Sequence, residues 1–119
     1  TVGYEVIINN KRLLFIPDID KWEKWDNDIV KLIKEIDYAL LDATFYKNGE
    51  LERDMSEIPH PFVEESIKLF STLSDSNKEK VHFIHLNHTN PLLIDGGSAQ
   101  KEILKKGFNL AKEGQIITF

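Results

Sequence analysis

Tyr38-Ala39-Leu40-Leu41-Asp42 is the stretch on which the fold turns: an unbroken apolar run closed by an acid. Without alternation, such a short run reads as a strand buried on both faces. Immediately before it, Trp22, Trp25, Ile29, Leu32, Ile33 and Ile36 recur at the three-and-four spacing of an amphipathic helix. Upstream, Tyr4 to Asn9 and Arg12 to Pro17 are β-rich runs separated by Asn10 and Lys11, which predicts a β-hairpin. Strand, helix and strand then make a crossover unit of an α/β sheet. Asp18 or Asp20 is expected to cap the helix.

Downstream of Asp42 the periodicity lapses as far as Phe62, with a turn at Asn48-Gly49 and an extended entry fixed by Pro59-His60-Pro61. So long a loop in a compact domain is functional or disordered. Val63 to Leu73 reads as a helix with an apolar stripe of Val63, Ile67, Phe70 and Leu73, and with Glu64 and Glu65 favouring its dipole. A polar connection from Asp75 to Lys80 leads to a strand at Val81 to Ile84. A helix follows from Ser98 to Lys106, capped by Ser98 and stopped by Gly107. Phe108 to Leu110 and Gln115 to Phe119 are expected to close the chain as a hairpin or two short strands.

The chain has 119 residues, the size of one domain or of part of a larger one. Its 41% hydrophobic and 29% charged residues are ordinary for a globular protein. A net charge of -5 with no basic run argues against nucleic acid or an anionic membrane as partner. No apolar stretch approaches the ~20 residues that span a bilayer, and Thr1 to Asn9 does not read as a signal peptide, so a cytoplasmic protein is expected. Because the first residue is Thr1 rather than Met, upstream sequence is expected to have been removed. There are no cysteines, so any metal must be held by histidine and carboxylate.

Ligands of open α/β sheets collect beyond the carboxyl ends of the strands, and the candidate donors fall there. Asp18 follows the second strand, Asp42 the third, and His85 and His88 the fourth, while His60 sits on the long loop. Imidazole and carboxylate are the set expected for zinc, manganese or iron. Each residue has a plainer reading as well. Asp18 in isolation is better explained as a helix cap, and Asp42 as an Asx turn about as well as a support for a metal. His60, between two prolines, is held more firmly than a solvated side chain requires. The i, i+3 spacing of His85 and His88 would place them together on a helical turn but on opposite faces of a strand. His82 reads as a half-exposed strand residue without chemistry, Trp22 and Trp25 as core, and Lys101, Lys105 and Lys106 as a solvated helix face.

The order Leu14-Phe15-Ile16-Pro17-Asp18, Leu40-Leu41-Asp42-Ala43-Thr44-Phe45, Ile58-Pro59-His60-Pro61 and Phe83-Ile84-His85-Leu86-Asn87-His88-Thr89-Asn90-Pro91 resembles the second half of the metallo-β-lactamase-fold hydrolases. It looks most like the branch of the pyrroloquinoline quinone biosynthesis B proteins and the cyclic phosphodiesterases of phosphonate breakdown. The tRNA 3′-processing endonucleases are more distantly similar. The resemblance implies an α/β fold, the second half of an αββα sandwich whose mixed sheet carries flanking helices. It also implies a metal-dependent hydrolase of a phosphodiester or cyclic ester that uses two divalent ions, zinc first and manganese or iron after it.

Matched to the family's motifs, Asp18 would bridge the metals, His85 would complete the second, and His60 would transfer a proton or stabilise charge. Asp42 would support the site from behind, and His88 would line the pocket. The His-x-His-x-Asp-His motif that precedes this region in the family is absent from the 119 residues, so the chain alone is expected to be inactive. It would pair with a missing N-terminal half or with another copy of itself, and the longer protein would act on a small molecule. A non-catalytic binding or assembly domain in cofactor biosynthesis is the alternative.

Overall fold

Asn9 and Asn10 both take positive φ, 50° and 67°, the left-handed pair that a two-residue type I′ hairpin turn needs. The turn therefore lies one residue earlier than the sequence suggested, joining β1 (Tyr4–Ile8) to β2 (Lys11–Ile16) with Ile8 opposite Lys11. In this computed structural model, which describes residues 3–117, three further strands follow: β3 (Tyr38–Asp42), β4 (Val81–Ile84) and β5 (Asn109–Leu110). They form one five-stranded sheet in chain order, β1 antiparallel to β2 and the rest parallel. Helices α1 (Ile29–Glu35), α2 (Val63–Leu69), α3 (Asp75–Lys78) and α4 (Ser98–Lys105) lie in the three parallel crossovers. Crossovers of one hand between strands in chain order all return over the same face. Accordingly Leu14, Ile16, Leu41, Val81 and Phe83 share a single buried core with Ile33, Ile67, Phe70, Ile103 and Phe108.

The other face of the sheet follows from the register. Phe15 lies beside Leu40 and Leu40 beside His82, with Leu13 beside Tyr38. Tyr4 and Val6 of β1 extend the same row, opposite Phe15 and Leu13. Among the described residues no layer covers this apolar face: Leu13, Phe15, Tyr38 and Leu40 are half-buried and all of β1 is exposed. His82 is an exception to the expectation of half-exposure, being only 9% exposed.

Several local expectations are corrected. The single helix from Trp22 becomes a 3-10 turn at Trp22–Lys24 and then α1, with Trp25 extended between them. The polar run Asp26-Asn27-Asp28 explains the break, since these side chains compete for backbone groups and favour caps over helix interiors. Asp28 caps α1 by accepting the Lys31 N–H, so neither Asp18 nor Asp20 has that role. The break lets both indoles pack, Trp22 donating to Ser66 Oγ at 2.8 Å and meeting Trp25 in a tilted contact, ring centroids 5.9 Å apart.

The expected polar connection after Leu73 holds α3, capped by Ser74. Gly97, not Ser98, occupies the N-cap of α4. Gln100 serves the entry instead, accepting from Gly96 N–H and donating to Leu92 C=O. Gly107 ends the helix with φ 95°, as expected. Gln115, Ile116 and Ile117 form no strand. Lys112 to Gln115 is a turn, and the rest of the expected last strand, residues 118 and 119, lies outside the described residues. No helix among the described residues is long and apolar enough to cross a membrane.

Candidate metal centre

The carboxyl ends of β2, β3 and β4 come out side by side, and Asp42 organises them. Its side chain is fully buried, 0% exposed, and both oxygens act as acceptors. Oδ1 takes the Thr44 N–H at 2.8 Å and the Thr44 hydroxyl at 2.7 Å. Oδ2 takes the Ile19 N–H at 3.0 Å and lies 2.7 Å from His60 Nδ1. The Asx turn read from the sequence is therefore present and is only part of the role. Holding Ile19 fixes the segment after β2, which carries Asp18; holding His60 fixes the long loop.

That loop has its own small core of Phe45, Met55, Ile58 and Phe62, with Leu51 packed against it. Phe45 meets the His60 ring edge-on, centroids 6.0 Å apart. Between its two prolines, the His60 N–H turns back onto Ile58 C=O at 2.9 Å. The loop then runs into α2, where Glu65 accepts the Phe62 N–H and pairs with Lys21 Nζ at 2.7 Å.

Asp18, Asp42 and His60 each bring one ligand atom to within 4.8 Å of the others. Of these, Asp42 has its roughly four lone-pair positions taken by the donors named above, which suits it to orienting rather than ligating. Asp18 differs: its side chain is 66% exposed and its nearest ionic neighbour is His60 Nδ1 at 3.6 Å. With Nδ1 turned to Asp42, Nε2 of His60 has no hydrogen-bond partner among the described residues. An exposed carboxylate oxygen with open lone pairs close to an imidazole is the donor chemistry of a borderline divalent cation, so the residues present fit part of a metal site.

His85 lies outside that trio but next to it, its ring 6.4 Å from the His60 ring. β4 ends at Ile84, and His85 then adopts a left-handed φ of 65°, so neither the helical nor the strand geometry considered for His85 and His88 applies. The side chain of His85 turns to Thr44, whose Oγ1 is 2.9 Å from Nδ1. His88 is exposed on the following turn and is not among the trio.

Two participants were not singled out from sequence. Thr44 links Asp42 to His85, and its position two residues after a strand-end acid is the spacing of a side chain that competes for turn hydrogen bonds, a usable signal. Asn90, 2% exposed, donates to the carbonyls of Ala43 and Thr44 at 2.7 and 3.2 Å and so clamps the β3 exit to the loop after β4. Nothing in its sequence context distinguishes it from a loop asparagine.

The mixed sheet with helices on one face matches part of a metallo-β-lactamase fold, as a solved structure shows. The chain superposes along its whole length on 41% of the crystal structure of zinc-bound PqqB from Methylobacterium extorquens, with a TM-score of 0.80 at 22% identity. Among curated sequences it is similar to the coenzyme PQQ synthesis protein B of Methylobacterium sp. (strain 4-46), 24% identical with 99% of this chain and 40% of that protein aligned. The proteins of the same name from Acinetobacter baumannii (strain ACICU), at 24%, and Gluconobacter oxydans, at 22%, align with 90% and 96% of the chain. The chain spans about two fifths of the length of these relatives. No protein-family model matches it.

Proposed function

We propose that this chain supplies the proton-transfer and part of the metal-binding apparatus of a metal-dependent hydrolase acting on a phosphodiester or cyclic ester. The Asp42–His60 pair carries the reading. A buried carboxylate fixing the tautomer of a loop imidazole, with an open carboxylate beside it, is what general acid–base chemistry next to a cation requires. Asp18 and His85 would hold the metal, of which the site takes up to two ions, zinc foremost. Bound there, a divalent ion supplies Lewis-acid polarisation of the scissile oxygen. His60 would take up or deliver a proton at Nε2 while Asp42 steadies the imidazolium. His88 would line the substrate pocket. The uncovered apolar face of the sheet supports pairing with a second sheet, from a longer protein or from a second copy.

A second reading is favoured by the relatives named above, which are PQQ synthesis proteins, one of them solved with zinc. In that reading the chain is a metal-binding domain serving cofactor synthesis without hydrolysis. One experiment separates them. Zinc binding is measured by equilibrium dialysis, and hydrolysis of bis(p-nitrophenyl) phosphate and of a cyclic phosphodiester is followed. The assays use the chain, any longer natural protein containing it, and their Asp18→Ala and His60→Ala variants. For a hydrolase, Asp18→Ala weakens zinc binding about tenfold, ~1.4 kcal/mol. His60→Ala then keeps the zinc but loses turnover by about 10²-fold or more. Zinc binding with no turnover in any form leaves the binding domain.

A further inference from the structure

The hydroxyl of Thr44 has one proton and three polar neighbours. They are Asp42 Oδ1 at 2.7 Å, His85 Nδ1 at 2.9 Å and His60 Nδ1 at 3.4 Å. Where that proton goes settles the others. Asp42 Oδ1 can only accept, and Thr44 Oγ1 donates to it. The oxygen of Thr44 is then left with lone pairs alone, so a stable contact at 2.9 Å from His85 requires Nδ1 to carry a hydrogen and donate it. By the same count His60 Nδ1 gives its hydrogen to Asp42 Oδ2, at 2.7 Å rather than to the more distant threonine.

Thr44 is itself only 7% exposed. Its backbone is held as well, the N–H by Asp42 and the C=O by Asn87 N–H and the Asn90 amide. The hydroxyl is thus not free to swing toward solvent and surrender the contact.

We propose that Thr44 is a positioning residue that sets the tautomer of His85, fixing its hydrogen on Nδ1 and leaving Nε2 as the lone-pair nitrogen. Asp42 thereby governs two imidazoles: His60 directly and His85 through the threonine hydroxyl. The same ring nitrogen is left open on both. A histidine on an exposed strand end otherwise shares its hydrogen between both nitrogens, and any ligand that needs the Nε2 lone pair must first select the right form. The assignment of Nε2 to a metal rests on the proposed function; the tautomer does not.

The test is nitrogen-15 spectroscopy of the imidazole rings in the metal-free 119-residue chain at pH 8, above the ordinary imidazole pKa of about 6.5. The wild type is expected to show His85 Nδ1 as a pyrrole-type, hydrogen-bearing nitrogen and Nε2 as a pyridine type. Thr44→Val, which keeps the shape and removes the hydroxyl, is expected to move His85 toward a mixture of both forms, and Thr44→Ser to restore the single form. Zinc titration of the same three proteins supplies the second readout, with an affinity loss of about tenfold in Thr44→Val rescued by Thr44→Ser.

Wild-type His85 carrying its hydrogen on Nε2 overturns the proposal without recourse to any variant. So does a folded Thr44→Val protein with an unchanged tautomer. A tautomer that shifts in Thr44→Val while zinc affinity stays fixed supports the role of Thr44 and removes His85 from the metal site instead.

Discussion

β2 and β3 both run out into an aspartate near the same imidazole, and the two carboxylates are in opposite conditions. Asp42 is fully buried and accepts from two backbone N–H groups, a hydroxyl and an imidazole. Asp18 stands mostly in solvent, with no hydrogen bond among the described contacts and only the distant His60 nitrogen beside it. The difference teaches which acid builds and which is available. A buried, saturated carboxylate loses little by being immobile, and its removal strands every donor aimed at it. An exposed one keeps its lone pairs for a cation that arrives from water.

The sharpest way to break this contrast is Asp42→Ala. Truncating it leaves buried donors unpaired and should cost about 3–5 kcal/mol of folding stability, read from urea unfolding. A loss below about 1 kcal/mol would mean that the network is not structural. His82 offers a middle case, buried like Asp42 but with Nδ1 unpartnered. Burial lowers its pKa from the ordinary imidazole value of 6.5, so the unfolded chain binds a proton more readily than the folded one. Its contribution is intact above about pH 6.5 and shrinks as the pH falls toward the lower folded value. Melting curves between about pH 8 and 5 should show a decline that His82→Phe reduces, by less than the Asp42 effect.

A partly satisfied group outside the cluster comes next. Tyr46 donates to Glu102 at 2.9 Å, and burial together with that acid pushes its phenol up to about 12. Tyr46→Phe should cost about 1 kcal/mol by chemical denaturation. The wild-type advantage should be full below pH 10 and disappear as the pH rises toward 12. The smallest effect belongs to Asp18→Ala, whose unfolding free energy should stay within about 0.5 kcal/mol of the wild type. A large loss there would erase the distinction between the two aspartates.

The parallel strands were legible because continuous apolar runs have no other home than a sheet buried by its helices. Asp18, Asp42, His60 and His85 were legible as a neighbourhood because strand ends converge. What the pattern could not carry was the pairing. Hydropathy does not say that Asn9 and Asn10, rather than Asn10 and Lys11, take positive φ, and this fixes the hairpin register. Nor does the spacing of Trp22, Trp25 and Ile29 reveal that Asp26 to Asp28 interrupts the helix, because the indoles still pack when it does. Thr44 escaped for a similar reason: a hydroxyl acts through proton direction, which no periodicity records. His82 was misjudged because strand alternation assigns it a face but not the crowding of Tyr38 beside it, 5.9 Å away.

The left-handed backbone at His85 changes how that position can be interrogated. Alanine or a β-branched residue there would be charged with the discomfort of its own main chain as well as with the missing imidazole. Asparagine accepts that conformation more readily and separates the two, while glycine relaxes the main chain altogether. Substitution tables that treat a strand-end histidine as freely exchangeable would therefore misread this residue, scoring geometry as chemistry.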